Sequence, residues 1–525
     1  MHSTSGTPDP LEPLLARGVE LQRMGRHAEA LDAFLEGLAM EPGHPAAHLL
    51  AGMSSLHLGR WEMGVAHAHV AVAADPRDAA AWCNLALGQR ELGRSKEAGY
   101  AARTAIAVGP RLANAWIAMG LVQQDAGSLE EARSSFARAI ELDPALASAQ
   151  LALGNLEQSQ GRVDAALAAY ARAQSLDPRL AEVPYNRGNL AHTVTGDIAA
   201  AIAGYREAIA MRPGYAIAHH NLASALFLVG DFAAAWNEYR WRPPRLQVEA
   251  RTPYEPPGAI PSPGSRLTIL AEQGLGDVLF FLRFAPRLRD RGVLLEFRGD
   301  RRLEGMLART GIFDRVSAVA DDGRDPQVAR VLAGDLPLLL DGNERGDAPP
   351  PLALTPDPER LAIARSRLAA AGPPPYIGLA WRAGRAKTGP EDALLKELPL
   401  PGFGSALKAV RATWISLQRE PRAGERELLA SHLGAPVHDF STVNADLEDC
   451  LAFMAAIDDF AGVSNTNVHF RAGCGGGGHV LVPFPYEWRW MASGPSRWFP
   501  RMRVHRQAVD GSWDDAFAQL ARDLA

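Results

Sequence analysis

Small, apolar and aromatic positions recur with a fixed period in the first 245 residues. A glycine returns every 34 residues, with one extra residue before its sixth occurrence. These glycines are Gly25, Gly59, Gly93, Gly127, Gly161, Gly196 and Gly230. Five positions after each stands a small residue, often followed four positions later by a large one, as in Ala166 and Tyr170. Because positions four apart share one helix face, each copy is predicted to hold packed helices.

The residue types of the repeat fit a pair of helices. Glycine adopts the positive φ of the turn between them, and the small residue lets them approach closely. A proline such as Pro144 ends the second helix. The small positions are Ala30, Gly64, Ala98, Ala132, Ala166, Ala201 and Ala235. Residues 11–245 resemble the tetratricopeptide repeat (TPR) family, which implies an α-solenoid: a superhelix of seven helix pairs.

The TPR resemblance implies a protein partner, because the concave face of such an array commonly binds a peptide or an extended protein segment. Amide side chains can hold a peptide backbone, so Asn84, Asn186 and Asn221 are candidate contacts at matching places in their repeats. Asn155 is a further candidate, out of phase with them. The alternative is an array used only for self-association or spacing.

A proline-rich stretch follows the last repeat. It begins at Pro243-Pro244 and continues through Pro253, Pro256, Pro257, Pro261 and Pro263. Proline at this density disfavours helix, so residues 246–265 are predicted to be an extended linker between two domains.

After Arg266 the apolar pattern changes to short runs that alternate with helical segments, which is typical of βαβ units and a parallel sheet. The first series is 267–271, 278–288, 293–297 and 303–307. A second series has predicted strands at 376–381, 414–417, 460–463 and 480–483, and a helix at 447–457. A proline-rich break between the series predicts two halves, 266–370 and 371–525.

Five motifs stand at predicted strand ends in this part of the chain. They are Glu272-Gln273-Gly274-Leu275-Gly276-Asp277, Gly378-Leu379-Ala380-Trp381, Ser416-Leu417-Gln418, the segment from Val463 to His469, and the segment from Pro483 to Trp490. In this order they resemble the bacterial TPR-linked glycosyltransferases, which are similar to the heptosyltransferase-like family. The resemblance implies an α/β GT-B fold of two Rossmann-like halves, with the acceptor on the first and the nucleotide-sugar on the second.

The first motif is the candidate acceptor-side loop, Gln273, Gly274 and Gly276. Glycine there allows a sharp turn and close approach to a ligand, or it serves only a strand-to-helix turn. The resemblance makes Asp277 the general base that deprotonates the acceptor hydroxyl. The alternative for Asp277 is an acid that stabilises the helix dipole.

The segment after Val463 is the candidate donor side. Ser464, Asn465, Thr466 and Asn467 are predicted to open a helix and bind a nucleotide phosphate, with His469 as a second catalytic residue. The alternative is simple capping by Ser464 or Asn465. Relatives commonly read Asp-Thr-x-x-x-His here, so the Ser464-Asn465 pair departs from the family pattern.

Further site candidates stand at the other strand ends. Arg382, Lys387 and Lys396 are cations that can neutralise a leaving diphosphate, with Arg382 and Lys396 ranked first. Ser416 and Gln418 are assigned to the nucleotide-sugar by position, and Trp381, Trp488 and Arg489 to the lining of the cleft. For the cations the alternative is a solvated surface charge, and for Trp488 and Arg489 it is packing of the carboxyl-terminal segment.

The composition excludes several classes of partner, cofactor and location. The chain has 525 residues, a net charge of −6 and only three cysteines. Nucleic acid is disfavoured as a partner, and a disulfide framework is excluded. A signal peptide and a membrane-spanning run are not expected, so a cytoplasmic location is predicted. Asp-x-Asp spacing does not occur, which indicates a metal-independent enzyme without a cofactor.

These observations predict an inverting glycosyltransferase that moves a sugar from a nucleotide-sugar to a protein, such as a flagellar or surface protein, presented by the repeats. One alternative is a TPR scaffold whose second half has lost catalysis. Another is a glycan or polysaccharide assembly transferase.

Overall fold

The computed structural model describes residues 11–251, 254, 256–318, 328–340, 346, 348–384 and 396–525. The chain forms two compact units, one ending at Arg187 and the other beginning at Gly188. The division does not fall in the predicted linker at 246–265, because the last helices of the repeat array pack into the second unit.

The first unit consists of helix pairs. Helices α1 to α10 are Leu11–Arg23, His27–Met40, Pro45–His57, Trp61–Ala74, Ala79–Glu91, Ser95–Val108, Ala113–Asp125, Leu129–Leu142, Ala147–Ser159 and Val163–Leu176, and α11 is Glu182–Leu190. The periodic glycines have φ values of 70° to 82°, as predicted for the turn within each pair. The small positions five residues later are buried. The predicted repeat is therefore confirmed in this unit.

A second set of glycines receives the large side chains of the repeat. Phe34, Phe136 and Tyr170 are fully buried on the second helices of their pairs. A Cβ added at Gly18, Gly120 or Gly154 would lie 2.3, 2.4 or 2.5 Å from the facing aromatic ring, respectively. The sequence pattern predicts that the small residue of the second helix allows the close helix approach. The structure shows that the first helix also needs a residue without a side chain.

We expect Gly154→Ala to destabilise the first unit by up to about 2 kcal/mol. Overpacking against the Tyr170 ring costs roughly 1–3 kcal/mol, and the better helix propensity of alanine offsets about 1 kcal/mol of it. Urea unfolding of the full chain measures the change. Gly43→Ala is the control, because a Cβ there meets no atom within 4 Å. Adding Tyr170→Leu should reduce the cost of Gly154→Ala, and equal costs in both backgrounds would contradict the contact.

The second unit begins with the last repeats. A π-helical turn, Ala191–Thr195, follows α11 and accommodates the extra residue that delays Gly196. Helices α12 to α15 are Ile198–Met211, Ala216–Val229, Phe232–Tyr239 and Pro243–Arg251. The last of these corrects the prediction of an extended linker, since Pro243 and Pro244 occupy the first turn of a helix, where proline is tolerated.

Two parallel sheets form the rest of the second unit. The first has the order β3-β2-β1-β4, with β1 to β4 at Arg266–Leu270, Leu294–Gly299, Arg315–Ala318 and Ala329–Leu332. The second has the order β12-β11-β10-β5-β8-β9. Its strands β5 and β8 to β12 are Tyr376–Ala380, Thr413–Ser416, Val437–Asp439, Asp459–Val463, Gly478–Val482 and Met502–Arg506. The two short strands between, β6 (Arg382–Ala383) and β7 (Lys396–Glu397), pair antiparallel.

The second sheet has the strand order of a doubly wound α/β fold, with β5 and β10 adjacent at its centre. Ligands of such sheets bind outside the carboxyl ends of the strands, where the order reverses.

Helices α16 to α25 are Leu275–Phe281, Ala285–Arg289, Glu304–Ala308, Leu336–Leu339, Pro358–Ala371, Leu400–Leu407, Glu425–Leu433, Leu447–Ala456, Thr466–Gly473 and Asp514–Leu524. The predicted strands and the helix at 447–457 are confirmed within two residues.

An aromatic core joins α13 and α14 to the α/β part of this unit. The Phe227 ring stacks on Trp488, and the Phe232 ring stacks on Trp498, each with centroids 4.3 Å apart. Trp236 is fully buried and meets Trp498 edge-on at 5.8 Å. The seventh helix pair is thus part of the same hydrophobic core as the sheets. Within the described residues, no helix has both the length and the apolar character to cross a bilayer.

Candidate functional site

The carboxyl ends of β1 and β10 bring the two predicted catalytic residues together. Asp277 lies in the first turn of α16, which follows β1, and His469 lies in α24, which follows β10. A Cβ added at Gly276 would lie 3.3 Å from Cδ2 and Nε2 of the His469 ring. Asp277 keeps 34% of its side chain exposed. A carboxylate from the first half and an imidazole from the second therefore line one site.

Four side chains of alternating charge cross this site. Asp277 pairs with Arg489, whose Nη1 lies 2.7 Å from Oε1 of Glu487. The second oxygen of Glu487 pairs with Lys396, and Lys396 also donates to the carbonyl of Ser464 at 3.3 Å. Burial alone raises the pKa of Glu487, but Lys396 and Arg489 outweigh it and hold that pKa well below its usual range. The network fixes two cations next to the end of β10.

His469 is buried in an aromatic and cationic environment. Its ring centroid lies 5.3 Å from that of Phe499, and the residue is 8% exposed. Burial first, and then the positive charges of Arg489 and Arg283, hold the pKa of His469 well below its ordinary value. The imidazole is therefore neutral at pH 7, with one nitrogen able to donate a hydrogen bond and the other able to accept one.

The residues after β10 open a helix as predicted. Asn465 is the N-cap residue, and its side chain accepts from the Val468 amide at 3.3 Å, which confirms the capping interpretation. Asn467 donates to Asn444 at 3.4 Å, and Thr466 is the first helical residue. Binding of a phosphate by Ser464, Asn465, Thr466 and Asn467 stays a prediction.

The structure corrects the role predicted for Trp381. Its ring is fully buried in the core of the second sheet instead of lining a cleft. Gln418 is also buried; its oxygen accepts from the amides of Trp381 and Arg382 at 2.9 and 2.8 Å, and its amide group donates to two carbonyls. Gln418 therefore holds the strand end in place, and its polar atoms are used within the protein.

The predicted cations differ in their surroundings. Arg382 lies 3.3 Å from Glu425 and donates to the carbonyl of Glu420, so its charge is already paired. Lys396 points to the end of β10, as described above. Lys387 lies outside the described residues.

The roles predicted for the acceptor-side loop and for Trp488 also need correction. Gly274 has a φ of −64°, and Gly276 lies inside α16, so neither needs a conformation reserved for glycine. The close approach expected at Gly276 is present, against His469. Gln273 accepts from the Tyr239 hydroxyl at 3.3 Å and thereby contacts the last repeat. Trp488 packs on Phe227, so the packing alternative is confirmed for it, whereas Arg489 lies in the site.

A separate cavity of about 390 Å³ opens at the carboxyl ends of β8 and β9. Ser416, Asp439, Arg422 and Arg426 line it. The Ser416 hydroxyl is buried and, among the described residues, has no hydrogen-bond partner. This volume falls within the range of small-molecule sites.

A buried ionic network beside the site was not predicted from the sequence. Arg242 lies 2.8 Å from Glu272 and 2.6 Å from Asp335, and all three side chains are at most 2% exposed. Glu272 precedes the acceptor-side loop, and Asp335 follows β4. Glu487 was also missed. Both networks join residues far apart in the chain, and no spacing pattern marks such pairs.

The candidate asparagines of the repeats are bonded within the protein. Asn84 donates to the Leu49 carbonyl at 3.3 Å. Asn186 donates to Asn155 at 2.6 Å, so the residue considered out of phase is its partner. In the second unit, Asn221 donates to Asn189 at 2.9 Å. Peptide binding by these side chains stays a prediction.

Comparison with known proteins supports the assignment of the repeats as tetratricopeptide repeats. A tetratricopeptide repeat model matches residues 15–66, 117–181 and 191–239. The Protein FlbA of Caulobacter vibrioides is 26% identical over 357 residues, 63% of this chain and 59% of FlbA. The chain thus spans less than two thirds of the length of that relative.

Among solved structures, a thermophilic TPR protein of Thermus thermophilus is 27% identical, with a TM-score of 0.32, and the match covers 34% of this chain and 98% of that protein. A tetratricopeptide repeat protein from Parabacteroides merdae is 18% identical, with a TM-score of 0.33, and the match covers 44% of this chain and 91% of that protein. The first part of this chain is a TPR protein-interaction module.

Proposed function

We propose that the α/β part is a GT-B-type, inverting glycosyltransferase that uses a nucleotide-sugar and acts on a protein held by the repeats. The observation that carries the proposal is the meeting of Asp277, from the first sheet, with His469 and the Lys396–Arg489 cations at the end of β10. A general base on one side and cations on the other are what displacement of a nucleoside diphosphate requires.

In the proposed reaction, the oxygen of an acceptor hydroxyl attacks the anomeric carbon of the sugar. The bond between that carbon and the phosphate oxygen breaks, and its electron pair leaves with the nucleoside diphosphate. The hydroxyl proton passes to the Asp277 carboxylate, whose Oδ1 is held by Arg489. Lys396 and Arg489 stabilise the charge that develops on the diphosphate, which is the role a metal has in other transferases.

The cavity beside Ser416 is the proposed site of the donor nucleoside. It lies at the carboxyl ends of β8 and β9, on the same edge of the sheet as His469. Arg422 and Arg426 line it, paired with Glu397 and Glu427, and the Ser416 hydroxyl, which has no partner among the described residues, can bond a ribose or base. A cytoplasmic location fits this proposal, because nucleotide-sugars are supplied there.

One observation favours a second candidate, a TPR scaffold without catalysis. Asn465 is used as a helix cap, and Asp277, Arg382 and Lys396 are all ion-paired within the protein. Charges that neutralise one another within the protein stabilise the fold without a bound ligand, which is what a scaffold requires.

Binding of UDP-, GDP-, CMP-, dTDP- and ADP-sugars to the full chain tests the transferase. We expect one nucleotide class to raise the unfolding midpoint, since a ligand at 100 times its Kd adds about 2.7 kcal/mol to the stability. Lys396→Met should weaken that binding at least about 10-fold through loss of a phosphate contact. Differential scanning fluorimetry and calorimetric titration give the two readings.

Lys408→Met is the matched control, because this lysine is exposed and stands directly after the end of α21, outside the site. Equal binding by wild type and both variants would place the nucleotide elsewhere. Binding of none of the five classes at millimolar concentration, with or without a peptide acceptor, would favour the scaffold.

A further inference from the structure

Four polar side chains gather on one face of the second sheet, at a place that the proposed reaction does not use. Asp459 is the first residue of β10, His479 the second of β11, and His505 belongs to β12. The parallel register pairs Ala461 with His479, and Leu481 with His505. Because side chains alternate along a strand, all three point to the same face. The fourth, Asp523, lies near the end of the carboxyl-terminal helix α25.

The two histidines face each other inside the protein. His479 Nδ1 lies 3.0 Å from His505 Nε2, and both residues are at most 3% exposed. Asp459 Oδ2 lies 3.5 Å from His479 Nε2, and Asp523 Oδ2 lies 4.0 Å from His505 Nε2. One ligand atom from each of His479, His505 and Asp523 falls within 4.8 Å of the other two.

The distribution of protons leaves a lone pair in this cluster. Asp459 favours a proton on His479 Nε2, as a carboxylate behind a metal-binding histidine does, so His479 Nδ1 presents its lone pair to His505. His505 Nε2–H donates to this lone pair at 3.0 Å, and the buried Nδ1, which has no partner among the described residues, can take that proton when Nε2 binds a metal.

We propose that His479, His505 and Asp523 bind one divalent transition-metal ion of the Zn²⁺ type, with Asp459 orienting His479. Two imidazoles and one carboxylate, with water in a fourth position, form a common set of zinc ligands. Zn–N bonds of about 2.0–2.1 Å separate two tetrahedral ligands by roughly 3.3 Å, so the rings need to move apart by only a few tenths of an ångström.

The site connects the carboxyl-terminal helix to the sheet. Asp523 is the ligand on that helix, and Arg503 competes for it from 3.7 Å. Asp459 and His479 stand at the amino ends of their strands, opposite the edge that carries His469. An ion bound there fastens α25 to the sheet, and it takes no part in the transfer proposed above.

Titration of the metal-stripped full chain with Co²⁺ tests this site. We expect one Co²⁺ per chain, with the strong visible absorption of a tetrahedral complex, displaced by Zn²⁺. His505→Gln should abolish the absorption, and Asp459→Asn should weaken binding about 10–100-fold through the lost orientation of His479. Asp523→Asn, which changes a partly exposed group, should also weaken binding while leaving the circular dichroism spectrum intact.

Two controls separate this cluster from other histidines. His438→Gln changes a partly exposed histidine of the same sheet, and His48→Gln removes one of a pair in the repeats, where His48 Nδ1 lies 2.9 Å from His67 Nδ1. Both should leave the absorption unchanged. Absence of Co²⁺ binding, or binding that survives both His505→Gln and Asp523→Asn, would overturn the proposal and leave a histidine pair that shares a proton.

Discussion

Asp277→Asn is expected to lower the rate of sugar transfer about 10²–10⁴-fold, the range that loss of a general base produces. The amide has nearly the same shape, but it cannot accept the proton of the acceptor hydroxyl. Asp277 stands on the acceptor side, so donor binding should change little. Single-turnover transfer with the nucleotide-sugar identified by the binding panel measures the rate, and calorimetric titration measures the donor Kd.

Asp290→Asn is the control for that experiment, since Asp290 is an exposed acid on the same half of the fold. Its rate should equal that of the wild type. Loss of donor binding in Asp277→Asn would instead show that the ion pair with Arg489 organises the donor cations. In that case Asp277 would be a positioning residue, and the base would have to be another group. An unchanged rate would exclude Asp277 from the reaction.

The repeats could be predicted from the sequence because each is determined by its own residues. Glycine at positive φ, a small buried residue and a terminal proline all act within 34 positions. Even the delay before Gly196 has a local cause, a π-helical turn at Ala191–Thr195. The prediction of an extended linker at 246–265 was wrong for residues 246–251, which are helical, because proline density alone does not distinguish a linker from the first turn of a helix. Two prolines at the start of a helix are compatible with it.

The α/β part was predictable in its strands and less so in its contacts. Apolar runs identify buried strands, but β3, β4, β9 and β12 are short or partly polar and were not predicted. The strand ends placed Asp277 after β1 and His469 after β10, and the carboxyl ends of these strands, which belong to two different sheets, meet at the site. The partners of each side chain depend on tertiary packing. For this reason the burial of Trp381 and the bonding of Gln418 could not be derived from their positions after strands.

Arg242→Met is expected to destabilise the second unit by about 3–5 kcal/mol, because buried Glu272 loses its cation and Asp335 is left with Arg245 at 3.6 Å. Burial alone lowers the pKa of Arg242, but Asp335 and Glu272 outweigh it and raise that pKa above its ordinary value. Asp335 also accepts from the Tyr254 hydroxyl at 2.7 Å. Urea unfolding followed by tryptophan fluorescence measures the change, since eight of the eleven tryptophans lie in this unit. Arg240→Met, at an exposed position two residues earlier, should change the stability little.

Variants of the same network test whether the last repeat controls the site. Glu272 Oε1 accepts from Arg242, from the Gly334 amide at 3.0 Å and from Gln273 at 3.1 Å, so the arginine holds the loop that leads to Asp277. Replacing all three charges, with Glu272→Gln and Asp335→Asn added to Arg242→Met, removes the unpaired carboxylates and should recover most of the stability. If the loop depends on the ionic contact, this triple variant will fold and still transfer sugar slowly. Recovery of both stability and rate would show that the network only supports the fold. No recovery of stability would mean that the aliphatic packing of Arg242, and not its charge, holds the last helix pair on the sheet.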